Sequence, residues 1–371
     1  MVDQNVQTLK GSYATDDVIF LLKDLSQATL EKSLDEREQA IQSGVHYSEM
    51  LPIEYEPTRD YLELFHESLH TYKEKVASAT GTVSELILER KGTDIVLVSL
   101  ARAGTPIGIL MKRYMKEMHN ISVPHYSISI IRGRGVDENA LNYLIRTYPT
   151  KQLVFVDGWT GKGAIAKELT KSVAHFNEKY GTQLSDDLAV LADPGYCSSL
   201  YGTREDFLIP SACLNSTVSG LVSRTVLNDE WIGVNDFHGA KVYAGLEEKD
   251  VSNYYIDVIT REFENAVPEI QEMTRELQHN QQEPTWKGLQ DIVSIQDHYG
   301  IEDINLIKPG VGETTRVLLR RIPWKILVRN DQDPSLKHIL QLAKERNVEV
   351  EVYDHMAYSC CGLIKPLDTD L

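Results

Sequence analysis

The chain is short of cysteine, of positive charge and of long apolar runs. Only four of its 371 residues are cysteine. None sits in a C-x-x-C pair, so a disulfide framework does not fit. Lys and Arg number 38 against 55 Asp and Glu, a formal charge of −17. A chain this acidic is a poor general binder of polyanions, and RNA or phosphate recognition has to come from a local basic patch. No apolar run reaches the roughly 18–20 residues of a membrane span. The first candidate, Val18–Leu22, is broken at once by Lys23 and Asp24. The opening Met1-Val2-Asp3-Gln4-Asn5 lacks the basic and apolar regions of a signal peptide. The eleven histidines show no H-E-x-x-H spacing, and the adjacent Cys360 and Cys361 would point to opposite sides of a strand, which suits zinc badly. A cytoplasmic protein with reduced thiols and no membrane partner is expected.

What is present reads as a globular α/β protein. Apolar residues make up 42% and charged residues 25%, and the length suits two or three domains. Ser33–Gly44 has helical character, and Asp60–Arg90 predicts a long helix interrupted near Gly81. Asp94–Leu100, His125–Ile131, Gln152–Val156, Leu188–Ala192 and Asp206–Ile209 predict five strands. Helices are expected between them over Thr105–His119, Asn139–Tyr148 and Gly163–Lys179. Alternating strands and helices imply a mostly parallel, doubly wound sheet with its ligand site at the carboxyl ends of the strands. Val251–Gln278 is helical in pattern, and the polar stretch from His279 to Thr285 suits a linker. Beyond it, Val317–Leu319, Lys325–Val328 and Glu349–Tyr353 predict strands and Ser335–Arg346 a helix. Residues 301–371 carry ten Lys and Arg against eleven Asp and Glu, so nearly all the negative charge lies before them. The boundaries expected are 1–265 for a large domain, 266–295 for a helix end and linker, and 296–371 for a small C-terminal α/β domain.

Three loops after strands carry the chemistry. In the segment from Val154 to Leu169, an apolar strand ends at Asp157. It passes through Gly158, Trp159, Thr160, Gly161, Lys162 and Gly163, then opens a helix. Glycines let backbone amides approach an anion, and a helix start adds partial positive charge. Asp157 can accept ribose hydroxyls or hold a metal-bound water. The second loop, Ser99-Leu-Ala101-Arg102-Ala103-Gly104, has the same order of strand, turn and helix. The third places Arg132 and Arg134 between glycines, a cationic loop able to close over an anion.

The first two loops resemble the phosphoribosyl-diphosphate and pyrophosphate loops of type I phosphoribosyltransferases, with Gly158 where that family usually has a second acid. Over about residues 10–265 the chain resembles the StiP-type proteins of bacterial tellurite-resistance and stress operons. The blocks GSYATDDVIFLLKDLS, SLARAGTPIGIL and FVDGWTGKGAI carry this likeness. The run from Lys308 to Pro323, with Tyr358–Ile364, resembles the Pelota-type RNA-binding domain. These resemblances imply an enzyme that binds phosphorylated ribose with Mg²⁺, held indirectly by Asp157. Arg102 would then take diphosphate, Arg132 and Arg134 the leaving group, and the loop from Gly158 to Gly163 the 5′-phosphate. They also imply partners among other stress-operon proteins.

Two hydroxyl-rich segments suit an acceptor pocket, offering Asp193, Tyr196, Arg204, Asn215 and Arg224. The alternative reading is a cysteine protease, the label that StiP-type proteins often carry. Its nucleophile would be Cys197 or Cys213, with His125, His175 and His238 available as bases. A third reading is a non-enzymatic nucleotide- or RNA-binding module. In the tail, Arg316, Arg320, Arg321, Lys325 and Arg329 cluster around Trp324, a composition that suits RNA.

Overall fold

The computed structural model describes residues 8–280 and 283–365. The opening residues read above for a leader, Met1 to Asn5, lie outside that range. Six parallel strands build the main sheet: β1 (Ile19–Phe20), β2 (Ile95–Ala101), β3 (His125–Ile131), β4 (Gln152–Trp159), β5 (Leu188–Ala192) and β6 (Leu200–Thr203). Their order is β1-β3-β2-β4-β5-β6, and Gly135–Val136 adds an antiparallel strand on β3. The fold is therefore the expected α/β class with a mostly parallel sheet.

The helix expected over Ser33–Gly44 forms as α1 (Leu34–Gln42), and the helices after it cover both apolar faces of the sheet. Ile95, Leu97, Val154, Val156, Ala189 and Leu191 pack with α2 (Arg59–Lys91), α3 (Gly104–His119), α6 (Ser252–Thr260) and α7 (Phe263–His279). The alternate residues Val96, Val98, Leu100, Phe155 and Val190 pack with α4 (Glu138–Thr147) and α5 (Ala164–Tyr180). This is the two-sided burial that near-continuous apolar strands require.

Five local expectations need correction. The α2 helix runs unbroken through Gly81, because α7 packs so tightly there that a Cβ would lie 2.2 Å from the Ile270 side chain. The strand β4 continues through Asp157, Gly158 and Trp159, since Trp159 still pairs with Ala192. The last strand is Leu200–Thr203 and not Asp206–Ile209, which leads irregularly into a short turn of helix at Pro210–Ala212. Val251–Gln278 is two helices, α6 and α7, parted at Arg261 and Glu262. Val317–Leu319 is helical, inside α9 (Val311–Arg320), whose buried Val311, Thr314, Thr315 and Leu318 recur at helical spacing.

The C-terminal part begins with α8 (Lys287–Tyr299). Its sheet holds β7 (Ile307–Pro309), β8 (Pro323–Val328), β9 (Glu349–Val352) and β10 (Cys360–Ile364) in the order β7-β10-β8-β9. One face packs on α8 through Ile292, Ile295, Leu327 and Leu363. The other carries α9 and α10 (Lys337–Glu345), and its core residues Val311, Leu318, Ile326 and Val328 run on into the core of the larger part.

Candidate functional site

The carboxyl ends of β2, β3, β4 and β5 form one rim, as parallel winding requires. Two cavities open there. One, of about 90 Å³, is lined by Arg102, Gly158, Trp159, Asn215, Ser219 and Arg316. The other, of about 290 Å³, is lined by Arg132, Asp157, Thr160, Lys162, Lys308 and Glu313 among others. Ala103 and Trp159 belong to both and form the partition.

Most of the polar groups expected to hold phosphate already have protein partners. Ser99 is buried; its hydroxyl donates to the Gly104 carbonyl at 3.0 Å and lies 2.7 Å from His125 Nε2. Arg102 donates to the Val222 carbonyl at 3.1 Å, and burial lowers the pKa of its guanidinium. Arg132 lines the larger cavity, and its backbone amide, not its guanidinium, donates to the Tyr47 hydroxyl at 2.9 Å. Arg134 pairs with Glu49, away from both cavities. The Thr160 hydroxyl donates to Asp193. Lys162 donates to the carbonyls of Ile304 at 2.7 Å and Ile307 at 3.2 Å, and burial lowers its pKa to about 8. Among the described residues Asp157 accepts only its neighbour's amide, Gly158 N–H at 2.7 Å, and burial lifts its carboxyl to about 7. Gly163 caps α5 with φ +76°; a Cβ there would lie 2.4 Å from the Trp286 ring and 2.7 Å from Cys197 Sγ. Glycine is required by conformation and by contact.

Behind this loop lies a buried charge pair. Asp193 is fully buried and pairs with Arg204. Its carboxylate also accepts the Cys197 amide at 2.8 Å, the Ser198 amide at 2.9 Å and the Thr160 hydroxyl. Burial nevertheless raises its pKa. The Arg204 guanidinium sits 4.4 Å from the Tyr196 ring centre and 3.7 Å from that of Tyr201. Asp193, Tyr196 and Arg204 therefore fix the turn after β5, and none of them lines either cavity. Of the other acceptor candidates, Asn215 lines the smaller cavity. Arg224 donates to the carbonyls of Tyr47 and Met50.

That turn carries a thiol. Cys197 is 5% exposed, with Sγ 3.4 Å from the Gly195 carbonyl. Burial, then the charge of Asp193, pushes it up to about 12. Cys213 lies in the core, 3.6 Å from the Ser68 hydroxyl, and burial pushes it up to about 11. Cys360 and Cys361 are buried in β10. All four cysteines are free. The histidines named as bases are engaged elsewhere: His125 with Ser99 and the Asp17 carbonyl, His238 with Ser129, and His175 near Glu138.

The tail's basic residues divide. Arg316 donates to the Ala212 carbonyl at 3.2 Å, and Arg320 to the Tyr61 hydroxyl at 2.6 Å, both across to the larger part. Lys325 pairs with Glu349 and Glu351, Arg329 donates to the Ala357 carbonyl, and Arg321 is exposed.

Residues 11–260 match the family described as tellurite-like stress resistance cysteine protease StiP. The chain belongs to the StiP family. It is 35% identical over 350 residues to the protein named cysteine protease StiP from Acinetobacter baylyi, covering 91% of this chain and 90% of that protein. Residues 286–366 match the PELOTA RNA binding domain. Among solved structures, a NifS-like protein from Rickettsia africae ESF-5 is 12% identical over 93% of each chain. Its TM-score of 0.18 is too low to inform fold or function.

For a StiP-family chain, the phosphoribosyltransferase expectation is overturned. The family and the relative are both named as cysteine proteases. The loop agrees physically: Thr160 serves Asp193 and Lys162 serves two carbonyls. Asp157 stands without the second acid, and among the described residues no group of three or more His, Cys, Asp and Glu side chains converges as a metal site. Among the same residues, no helix is long and apolar enough to cross a membrane.

Sequence reading missed Asp206, Trp286, Lys308 and Tyr358. Each meets the rim from a distance in the chain that no local pattern reveals. The Tyr358 hydroxyl donates to the Gly161 carbonyl at 2.9 Å, the Trp286 amide to the Tyr196 carbonyl at 3.0 Å, and the Gly288 amide to the Gly195 carbonyl at 3.1 Å.

Proposed function

We propose that this chain hydrolyses peptide bonds through the Cys197 thiol and that residues 286–366 bind RNA. The setting would be a reducing cytoplasm, where four free thiols persist, during tellurite-like stress. The observation that carries the enzymatic reading is the placement of Cys197. Its thiol packs against the Gly161–Gly163 turn at the sheet rim, and its amide is anchored by Asp193. Cys197 and Cys213 are both buried in core clusters, and Cys360 and Cys361 in β10; Cys197 is set apart by its contact with the rim loop. The family names support the class of reaction.

In that reaction the Cys197 sulfur attacks the peptide carbonyl carbon, and the thiol proton passes to the departing amine. Water then hydrolyses the thioester, releasing the acid and restoring the thiol. The thiolate is the nucleophile. Burial and the charge of Asp193 favour the protonated thiol, so the reaction calls for a thiol less buried than it is in this structure. Arg204 and Lys167 favour the thiolate, and relief of burial removes the largest influence opposing them.

Iodoacetamide tests this with casein hydrolysis as the readout. Between pH 7 and pH 9 the alkylation rate of Cys197 should rise about tenfold per unit, since the thiolate fraction does. Hydrolysis should disappear in step with Cys197 modification. Hydrolysis that survives complete alkylation of Cys197 would refute the reading.

A further inference from the structure

The C-terminal part covers the Cys197 turn from three directions. The Trp286 ring lies against Gly163, with the Lys167 ammonium 5.1 Å from its centre. Tyr358 holds the Gly161 carbonyl, and Lys162 reaches across to Ile304 and Ile307. A fourth contact acts as a latch. Asp206 accepts the Val311 amide at the start of α9 at 2.9 Å and the Ser359 amide at 2.8 Å. The Ser359 hydroxyl donates to the Asp206 carbonyl at 3.1 Å.

Electrostatically this contact is weak. Among the described residues no ion pair joins residues 8–280 to 283–365. Across the boundary Arg316 and Arg320 repel Arg102 and Lys308 repels Lys162, while Arg329 attracts Asp206 and Asp303 attracts Lys162. On the larger part Arg316 reaches a carbonyl and Arg320 a phenol whose ring it also covers at 4.4 Å; Arg316 has a carboxylate partner, Glu313 at 3.3 Å, on its own helix. Phosphates are stronger partners for guanidinium groups than such neutral acceptors.

We propose that the C-terminal part is a removable cap on Cys197, and that RNA lifts it by taking Arg316, Arg320 and Lys308 from the docked face. RNA binding and capping exclude one another because Arg316 and Arg320 are engaged in the docked contact and Lys308 lines the rim cavity that the contact closes over. Uncapping lets water reach the thiol, relieves the burial that keeps it protonated, and opens the rim to a polypeptide. The role given to the uncapped thiol rests on the peptidase reading; the uncapping itself does not.

The experiment measures alkylation of Cys197 and Cys213 in the full chain by peptide mapping. Measurements are made with and without a single-stranded RNA of about 30 nucleotides at low salt. RNA should speed Cys197 alkylation about tenfold, change Cys213 much less, and lose its effect as salt is raised. Asp206→Ala should speed Cys197 alone without RNA. RNA that binds without changing Cys197, no RNA binding at low salt, or equal acceleration of both thiols would overturn the proposal. A thiol uncapped by RNA in a chain that hydrolyses no peptide would instead sink the peptidase reading and leave the cap standing.

Discussion

Cys197→Ser should lower peptide hydrolysis by at least about 10³-fold, the scale expected when a covalent nucleophile is removed. A serine hydroxyl is smaller and ionises far less readily than a thiol, and among the described residues no imidazole hydrogen-bonds Cys197 to act as its base. Cys213→Ser should leave hydrolysis within about threefold, because that thiol faces Ser68 in the core and touches no rim group that the reaction uses. The pair is informative because both cysteines sit in neighbouring loops, and sequence alone ranked neither above the other. Equal losses in both variants would show that rim packing is being measured and not chemistry. The check is initial rate on a fluorogenic peptide, with near-ultraviolet circular dichroism to confirm that each variant is folded.

The largest effect on stability is expected from Asp193→Ala. The carboxylate is fully buried and satisfies Arg204, two backbone amides and the Thr160 hydroxyl. Removing it leaves a guanidinium unpaired beneath the sheet rim, together with two amides that lose their acceptor. Breaking one partner of a buried pair costs about 3–5 kcal/mol. Arg204 keeps its stacking on Tyr196 and Tyr201, which holds the loss within that range. Asp193→Asn keeps an acceptor oxygen and should lose less, about half as much. Denaturant midpoints measure both, and a loss below about 1 kcal/mol for the alanine variant would mean that Asp193 is not the anchor of the Cys197 turn. Because the Cys197 amide hangs on this carboxylate, the alanine variant should also lose activity under conditions where it remains folded.

The large sheet was legible in the sequence because its strands are short apolar runs between amphipathic helices. Residues such as Ile95–Ala101 and Leu188–Ala192 have no other stable place than a sheet covered on both faces. Errors arose where local composition and tertiary demand disagree. Phe207, Leu208 and Ile209 look like a strand, yet they pack in the core as irregular chain leading into Pro210. Val317–Leu319 looks like a strand in isolation, and only the wider spacing from Val311 to Leu318 reveals the helix.

The site was legible in part. Arg102, Asp157 and Lys162 do converge on one rim. Their chemistry was misread because hydrogen-bonding capacity was counted without its partners. Thr160 answers to Asp193 and Lys162 to Ile304 and Ile307, contacts spanning 33 residues and more than 140. The basic residues of the tail show the same blindness. Arg316 and Arg320 are four apart on one helix, and the face they share points at Ala212 and Tyr61. Composition alone cannot distinguish a docked cation from a free one.

The most direct measurement is mass-spectrometric mapping of the acyl group left on the chain when a slowly turned-over peptide ester is quenched in acid. The thioester should map to Cys197 and be absent from the Cys197→Ser chain. An acyl group on another residue, or rapid hydrolysis with none on any cysteine, would contradict Cys197 as the nucleophile.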